Sequence, residues 1–396
     1  MTKKPPLSMF EVRQFKAIRE SGKVKFGWLT CFIGNNGVGK SSLIEALETF
    51  RDIVVEDLDF AMDRWRGLEH VMNKSPERVL VELEPGQSRM SHPMMFGFNW
   101  SWAGDTFRGQ QFIAPNQGGN GISIYREKLT STINRSTEIW TRHYDGRCNY
   151  AANGGPTETH EQMAERMGVR KLDPGESLFE IHEMAEWQFL ALNPDNMGRP
   201  KRQRRAAKRV RLDRDGSNIA EYLNEILELD PAAFQGIIDA MAYVLPYAVD
   251  MQPTVTSELE RAFYLKLKEE SFEVPGWLLS SGTLRIVAIL ACLRHPKPPP
   301  LLVIEEIENG LDPRTLHLVV EEIRVAIAAQ TTQVVFTTHS PYLLDLLDLS
   351  HIVVVEREEG QPIFRRPDVK RLSDWSEKFA PGKLYTMDLL TVEGEQ

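Results

Sequence analysis

The feature that most constrains this chain is Gly34-Asn35-Asn36-Gly37-Val38-Gly39-Lys40-Ser41, set between an apolar run and an amphipathic one. It fits G-x-x-x-x-G-K-[ST] without a mismatch. Leu29-Thr-Cys-Phe-Ile33 before it is short, apolar and β-prone, as a buried strand would be. Ser42-Leu-Ile-Glu-Ala-Leu-Glu-Thr-Phe50 after it carries apolar residues at helical spacing. Strand, glycine-rich loop and helix in that order make a phosphate cradle. The glycines let backbone N–H groups converge on one phosphate, and the helix N-terminus adds partial positive charge. The spacing predicts ATP contacts from Asn35, Asn36, Gly37, Val38, Gly39, Lys40, Ser41 and Ser42. Lys40 is expected to bridge the β- and γ-phosphates, and the Ser41 hydroxyl to ligate Mg²⁺.

Four further signals follow one another near the C-terminus. Leu279-Ser280-Ser281-Gly282-Thr283 opens an apolar helix, Leu284 to Leu293. Small residues at a helix N-terminus make a second anion site, of little use unless two molecules share one nucleotide. Leu301 to Ile304 is a continuous apolar run typical of a central parallel strand, and it ends in Glu305 and Glu306, with Glu308 just beyond. Carboxylates at such a strand end are costly unless they serve a metal or a proton. Glu305 is expected to hold Mg²⁺ and Glu306 to polarise the attacking water. Asn309-Gly-Leu-Asp312-Pro reads as a turn. Gln333-Val-Val-Phe-Thr-Thr-His339 is another buried strand, ending in a histidine placed to meet a γ-phosphate. Each signal alone has an ordinary reading as a solvated strand end or a structural histidine. Their order is what decides.

In that order the chain resembles ABC-class ATPases of the SMC/RecF/OLD branch, most closely the stand-alone "predicted ATPase" proteins with a compact head. Phe10-Glu-Val-Arg-Gln-Phe-Lys-Ala-Ile18 resembles the opening strand of that branch. Asp215-Gly-Ser-Asn-Ile-Ala220 resembles a segment often found before its signature helix. The resemblance covers both ends of the chain well and the middle poorly. It implies an α/β P-loop NTPase head with a mainly parallel core sheet, an antiparallel β-subdomain and a helical lobe. It implies that Ser280, Ser281, Gly282 and Thr283 form the signature, which meets the γ-phosphate of the opposite subunit. Asp312 then takes the position of the turn that signals across the dimer, and His339 that of the switch histidine. ATP and Mg²⁺ are the implied cofactors, and a homodimer or higher even oligomer is the implied assembly. The implied biology is DNA maintenance or anti-phage defence, with a separately encoded effector, nuclease or toxin.

Two positions depart from the pattern. Glu305 stands where most ABC ATPases have aspartate, which is compatible with slow hydrolysis. Gln188, within Trp187-Gln-Phe-Leu-Ala-Leu-Asn-Pro194, is the candidate for the magnesium-contacting glutamine and is equally an ordinary polar residue. Three rival readings stay open: the ATPase subunit of a transporter, a scaffold that uses ATP without hydrolysing it, and a nuclease in its own right.

With 396 residues, 42% apolar and 26% charged, the chain is ordinary for a soluble protein and long enough for a large core. The expected division is 1–77, an ATPase lobe with the phosphate loop; 78–185, a β-subdomain and insertion; 186–275, a basic arm and helical lobe; and 276–396, the second ATPase lobe. The apolar stretches are too short to span a bilayer, and the start lacks the apolar run of a signal peptide. Cys31, Cys148 and Cys292 show no metal spacing and suit a reducing compartment. A cytoplasmic protein without a membrane partner is expected.

Residues 78–150 read as short strands at Val79–Leu83, Phe96–Trp102, Ile122–Tyr125 and Ile139–Tyr144. Their aromatic density suits either a core or base stacking, and core packing is the preferred reading. A helix is expected near Glu158 to Met167, and residues 218–270 read as helical. The end of the chain should supply one more strand near Leu349 and a closing helix and turn over 374–385. No heptad run long enough for coiled-coil arms is present. The net charge of −9 argues against a whole-surface nucleic-acid binder. Yet residues 199–214 hold nine basic side chains in sixteen. Arg199, Lys201, Arg202, Arg204, Arg205, Lys208, Arg209 and Arg211 make a candidate arm for DNA or RNA phosphates. An acidic partner subunit or plain solvent are the alternatives.

Overall fold

The computed structural model describes residues 3–74, 80–81, 90–91, 93–102, 104–115, 121–133, 136–142, 148–152, 158–159, 182–202, 210–257 and 261–390. The chain divides into two compact units. The first comprises Met1–Gly27, Gly34–Glu186 and Val354–Arg365, and the second Trp28–Ile33, Trp187–Val353 and Arg366–Gln396.

In the first unit, β1 (Leu7–Phe15), β2 (Ile18–Glu20) and β3 (Val24–Lys25) precede β4 (Leu29–Ile33), which belongs to the second. Strands β5 (Leu80–Val81) and β6 (Met90–Ser91) pair with each other. Strands β7 (Met94–Trp102), β8 (Asp105–Pro115), β9 (Ile122–Ile133), β10 (Ser136–Arg142), β11 (Cys148–Ala152) and β12 (Glu158–Thr159) complete an antiparallel sheet. Its order is β12-β11-β10-β9-β8-β7-β1-β2, with β3 on β1. Alternation aims Phe10 of β1 and Phe96, Phe98 and Trp100 of β7 at one face, where all are buried. The helix Lys40–Val55 supplies Phe50 to that face. Its ring centroid lies 4.9 Å from that of Phe98 and 5.7 Å from that of Phe96. Each buried aromatic contributes about 1.5–3 kcal/mol, with about 0.5–1.5 more per ring pair. These rings therefore pack a core and present no platform for bases.

The expected helix from Glu158 is corrected at its start. Glu158 and Thr159 pair with Tyr150 and Asn149 of β11, and the remaining positions 160–167 lie outside the described residues. The open edge of β11 offers ladder hydrogen bonds that local helix propensity does not outweigh.

The second unit is built on four parallel strands: β4, β13 (Gln188–Leu190), β18 (Leu301–Ile304) and β19 (Gln333–Thr338), in the order β13-β18-β19-β4. Every residue of these strands is buried, which explains their unbroken apolar runs. The helix Ser281–Leu293 is buried from Thr283 onward except at Arg285. The helix Pro313–Ala328 connects β18 to β19. Helices Ile219–Leu229 and Pro231–Val244 pack on each other and on Ser281–Leu293.

The helical reading of 218–270 holds only to Val244. Residues Asp250–Val255 (β15) and Ala262–Lys268 (β16) form an antiparallel pair, joined by β14 (Lys201–Arg202) and β17 (Glu273–Pro275). The signal was present: Phe263, Leu265 and Leu267 are buried at every second position. Pro253 also disfavours a helix there. Near the C-terminus, Leu349–His351 is a short 3₁₀ turn before the strand Ile352–Glu358, and two short helices, Ser373–Ser376 and Pro381–Thr386, replace one closing helix. Among the described residues, no helix is long and apolar enough to cross a membrane.

Candidate functional site

In the first unit the phosphate loop runs from Gly34 into the helix that starts at Lys40. Gly34 has φ +150°, and a Cβ there would lie 2.1 Å from the Val355 carbonyl oxygen. Only glycine allows both this backbone and this approach. Asn35, Asn36, Gly37 and Ser41 are exposed, Val38 and Ser42 are half-buried, and Gly39 and Lys40 are buried. The Lys40 ammonium donates to the carbonyls of Gly34 at 2.8 Å and Asn35 at 2.9 Å, which curls the loop around its own cation. No side chain caps the helix, and its first turn holds no acidic residue. An uncapped helix start beside a lysine is suited to an anion.

In the second unit β18 ends at Ile304 and the carboxylates begin. The Glu305 N–H donates to the Leu190 carbonyl at 2.8 Å. Its carboxylate pairs with Arg214, which sequence reasoning did not connect to it. Glu306 takes φ +48°, a turn outward that leaves it exposed. Its N–H donates to Thr337 Oγ1 at 2.8 Å, and its carboxylate accepts from Asn309. Glu308 accepts the His339 main-chain N–H at 2.5 Å through Oε1. Its Oε2 is buried and finds no partner among the described residues. His339 is half-buried just beyond β19. Cys31 lies in β4; burial, and secondarily the Glu308 charge, pushes its thiol well above the usual range, so it is inert.

Ser280 caps the helix Ser281–Leu293: its hydroxyl accepts the Thr283 N–H at 3.1 Å and lies 2.8 Å from the Thr283 hydroxyl. Ser280 and Ser281 are exposed, Gly282 is half-buried and Thr283 is buried. A Cβ on Gly282 would stand 2.4 Å from the Gly310 carbonyl oxygen, so the turn at Gly310 and the start of this helix touch within one chain. Arg285, one turn further on, is half-buried. Burial lowers its pKa, against the opposing charges of Glu306 and Glu308. Asp312 caps the next helix, accepting from the N–H groups of Arg314 at 2.9 Å and Thr315 at 3.1 Å. The Thr315 hydroxyl, with those N–H groups, holds its carboxyl below the usual range.

Gln188 is buried in β13 opposite Leu302, and its amide donates to the Leu212 carbonyl at 2.6 Å. Of the basic stretch, Arg199, Arg202 and Arg211 are exposed. Lys201 pairs with Asp213 and bonds Ser217, so it closes the base of the stretch. Arg204, Arg205, Lys208 and Arg209 lie outside the described residues.

The donors fit the implied groups. A lysine in a glycine loop and an uncapped helix suit phosphates. The glutamate oxygens of the second unit, one of them (Glu308 Oε2) buried with no partner among the described residues, and the serine hydroxyl of the first are each the kind of hard oxygen ligand magnesium takes.

A family model described as "AAA domain, putative AbiEii toxin, Type IV TA system" matches residues 175–345. No curated protein matches the chain. Among solved structures, the SMC head bound to the C-winged helix domain of ScpA is similar, at 13% identity and TM-score 0.47, over 93% of this chain and all (100%) of that one. The SMC head domain from Thermotoga maritima shares 15% identity at TM-score 0.39, over 92% of this chain and 100% of that chain. The Pyrococcus furiosus Smc head with an extended coiled coil, bound to the C-terminal domain of ScpA, shares 12% at 0.44, over 94% and 99%. Residues 175–345 thus match the AbiEii-type AAA domain.

Proposed function

We propose that this chain binds and hydrolyses ATP with Mg²⁺, and that the nucleotide joins two copies head to tail. The strand register carries the reading. Ile33 lies opposite Thr338, and Ile304 opposite Phe336, in one parallel sheet. Strands β4, β19 and β18 therefore run out at one edge, where α/β sheets bind ligands. The phosphate loop, His339 and Glu305-Glu306 each follow directly from those ends in the chain.

Lys40 and the loop amides hold the phosphates. Ser41 and Glu305 would hold Mg²⁺ through oxygen, and the cation, when bound, would supply charge neutralisation at the phosphates. Glu306, carried outward and steadied by Thr337 and Asn309, accepts the proton of the attacking water. His339 meets the γ-phosphate. Ser280 to Thr283 of a second copy close the site, and Asp312 lies at the contact between copies. Such a switch has two states with different partner affinity. The toxin–antitoxin wording of the matched family supports a role in bacterial defence; a separate effector and a cytoplasmic location belong to the same proposal. Exposed Arg199, Arg202 and Arg211 support an anionic partner, DNA or RNA.

The test is ATP turnover and sedimentation of the purified chain beside Lys40→Ala and Glu306→Gln. Turnover lost in both variants, with an ATP-dependent dimer kept in Glu306→Gln, is the expected result. The Arg214–Glu305 pair favours a second reading, a non-hydrolysing scaffold. An ATP-dependent dimer without turnover in the unaltered chain would select that one.

A further inference from the structure

Glu305 and Arg214 are placed opposite each other by the backbone. The exit of β13 holds both: Leu190 O accepts the Glu305 N–H, and the Ala191 N–H donates to Arg214 O, each at 2.8 Å. The turn that bears Arg214 is pinned on either side. The Asp213 N–H donates to Asn218 Oδ1 at 2.6 Å, and the Asn193 N–H donates to Asp215 O at 2.9 Å. Glu305 keeps 14% of its side-chain exposure and Arg214 37%, so solvent screens the pair only in part. A guanidinium delivered this way to the carboxylate that follows β18 is part of the site.

We propose that Arg214 is a built-in competitor for the divalent cation at Glu305. It occupies Oε1 of the carboxylate, and a cation that reaches Glu305 does so against a fixed positive charge. This rests on Glu305 being the cation carboxylate, as proposed above. Like charges at one partly buried carboxylate repel, and the carboxylate must leave or share its present partner. Arg214 is thus a positioning residue that raises the cation concentration the site requires. Tying a partly buried carboxylate in place without affecting cations is the purely structural alternative.

The test uses the full chain with a non-hydrolysable ATP analogue, Mn²⁺ as the probe and electron paramagnetic resonance to count free Mn²⁺. Nucleotide affinity without divalent cation is measured beside it, and thermal unfolding shows that each variant folds. Arg214→Gln and Arg214→Met should bind Mn²⁺ on the order of tenfold more tightly at low salt, with cation-free nucleotide affinity within about twofold. Glu305→Gln should weaken Mn²⁺ binding, and adding Arg214→Met to it should restore nothing. Mn²⁺ affinity unchanged or weakened in both Arg214 variants, with Glu305→Gln still impaired, overturns the proposal alone. No nucleotide-dependent Mn²⁺ binding by the unaltered chain overturns the reading of the site and this proposal with it.

Discussion

The main-chain N–H of His339 donates to Glu308 Oε1 across 2.5 Å, so a carboxylate beyond β18 fixes the exit of β19. The histidine is therefore aimed by a residue from the neighbouring strand end. Glu308→Ala should lower stability by about 1–3 kcal/mol, the cost of an orphaned amide once bonded to a charged acceptor. It should also lower ATP turnover, whereas Glu308→Gln, which still accepts, should retain more of both. Urea unfolding and turnover of the two variants check this.

Gly34→Ala should fold poorly. A methyl 2.1 Å from the Val355 carbonyl cannot be relieved by a side-chain rotation, because the obstacle is backbone. A loss of several kcal/mol, roughly the upper range for single substitutions, is expected in thermal unfolding.

Gly282→Ala separates two reasons for a glycine at this position, close packing within the chain and the proposed contact with a second copy. The Gly310 carbonyl lies 2.4 Å from its would-be Cβ within one chain. The variant should therefore lose stability as an isolated monomer without nucleotide, by about 1–3 kcal/mol. A melting temperature equal to that of the unaltered chain would leave only a role toward a second copy.

Asp52 predicts a pH dependence. Burial, the largest cause, raises its pKa from 3.8 to about 6, despite the opposing charge of Arg51. Between those two values the folded chain holds a proton that the unfolded chain has lost. Its contribution therefore favours the folded state fully at about pH 4 and fades as pH rises to about 6. Asp52→Asn should flatten that part of the profile, a change of about 1–3 kcal/mol in urea unfolding between pH 4 and 7.

The basic stretch should split by position. Lys201→Ala removes one partner each of Asp213 and Ser217 and should destabilise the chain measurably. Arg199→Ala and Arg202→Ala, both exposed, should stay within about 0.5 kcal/mol. If they matter, it should be in binding to nucleic acid, seen as a shallower salt dependence.

Periodicity and spacing alone marked the strand–loop–helix at Gly34–Lys40, the apolar runs of β4, β18 and β19, and the carboxylates after Ile304. These are local properties. A strand buried on both faces must be apolar throughout, and a phosphate loop must place its glycines and lysine at set intervals, whatever the rest of the chain does. The sequence also held the period-two pattern of Phe263, Leu265 and Leu267, passed over in favour of a helix. Tertiary structure decided what each polar residue at the site touches. Arg214 is 91 positions from Glu305, and Glu308 bonds an amide 31 positions on. Gln188 turns its amide to Leu212. Such pairings depend on which strand exits lie side by side, and strand order is set by the packing of the whole sheet. No local pattern of residues encodes it.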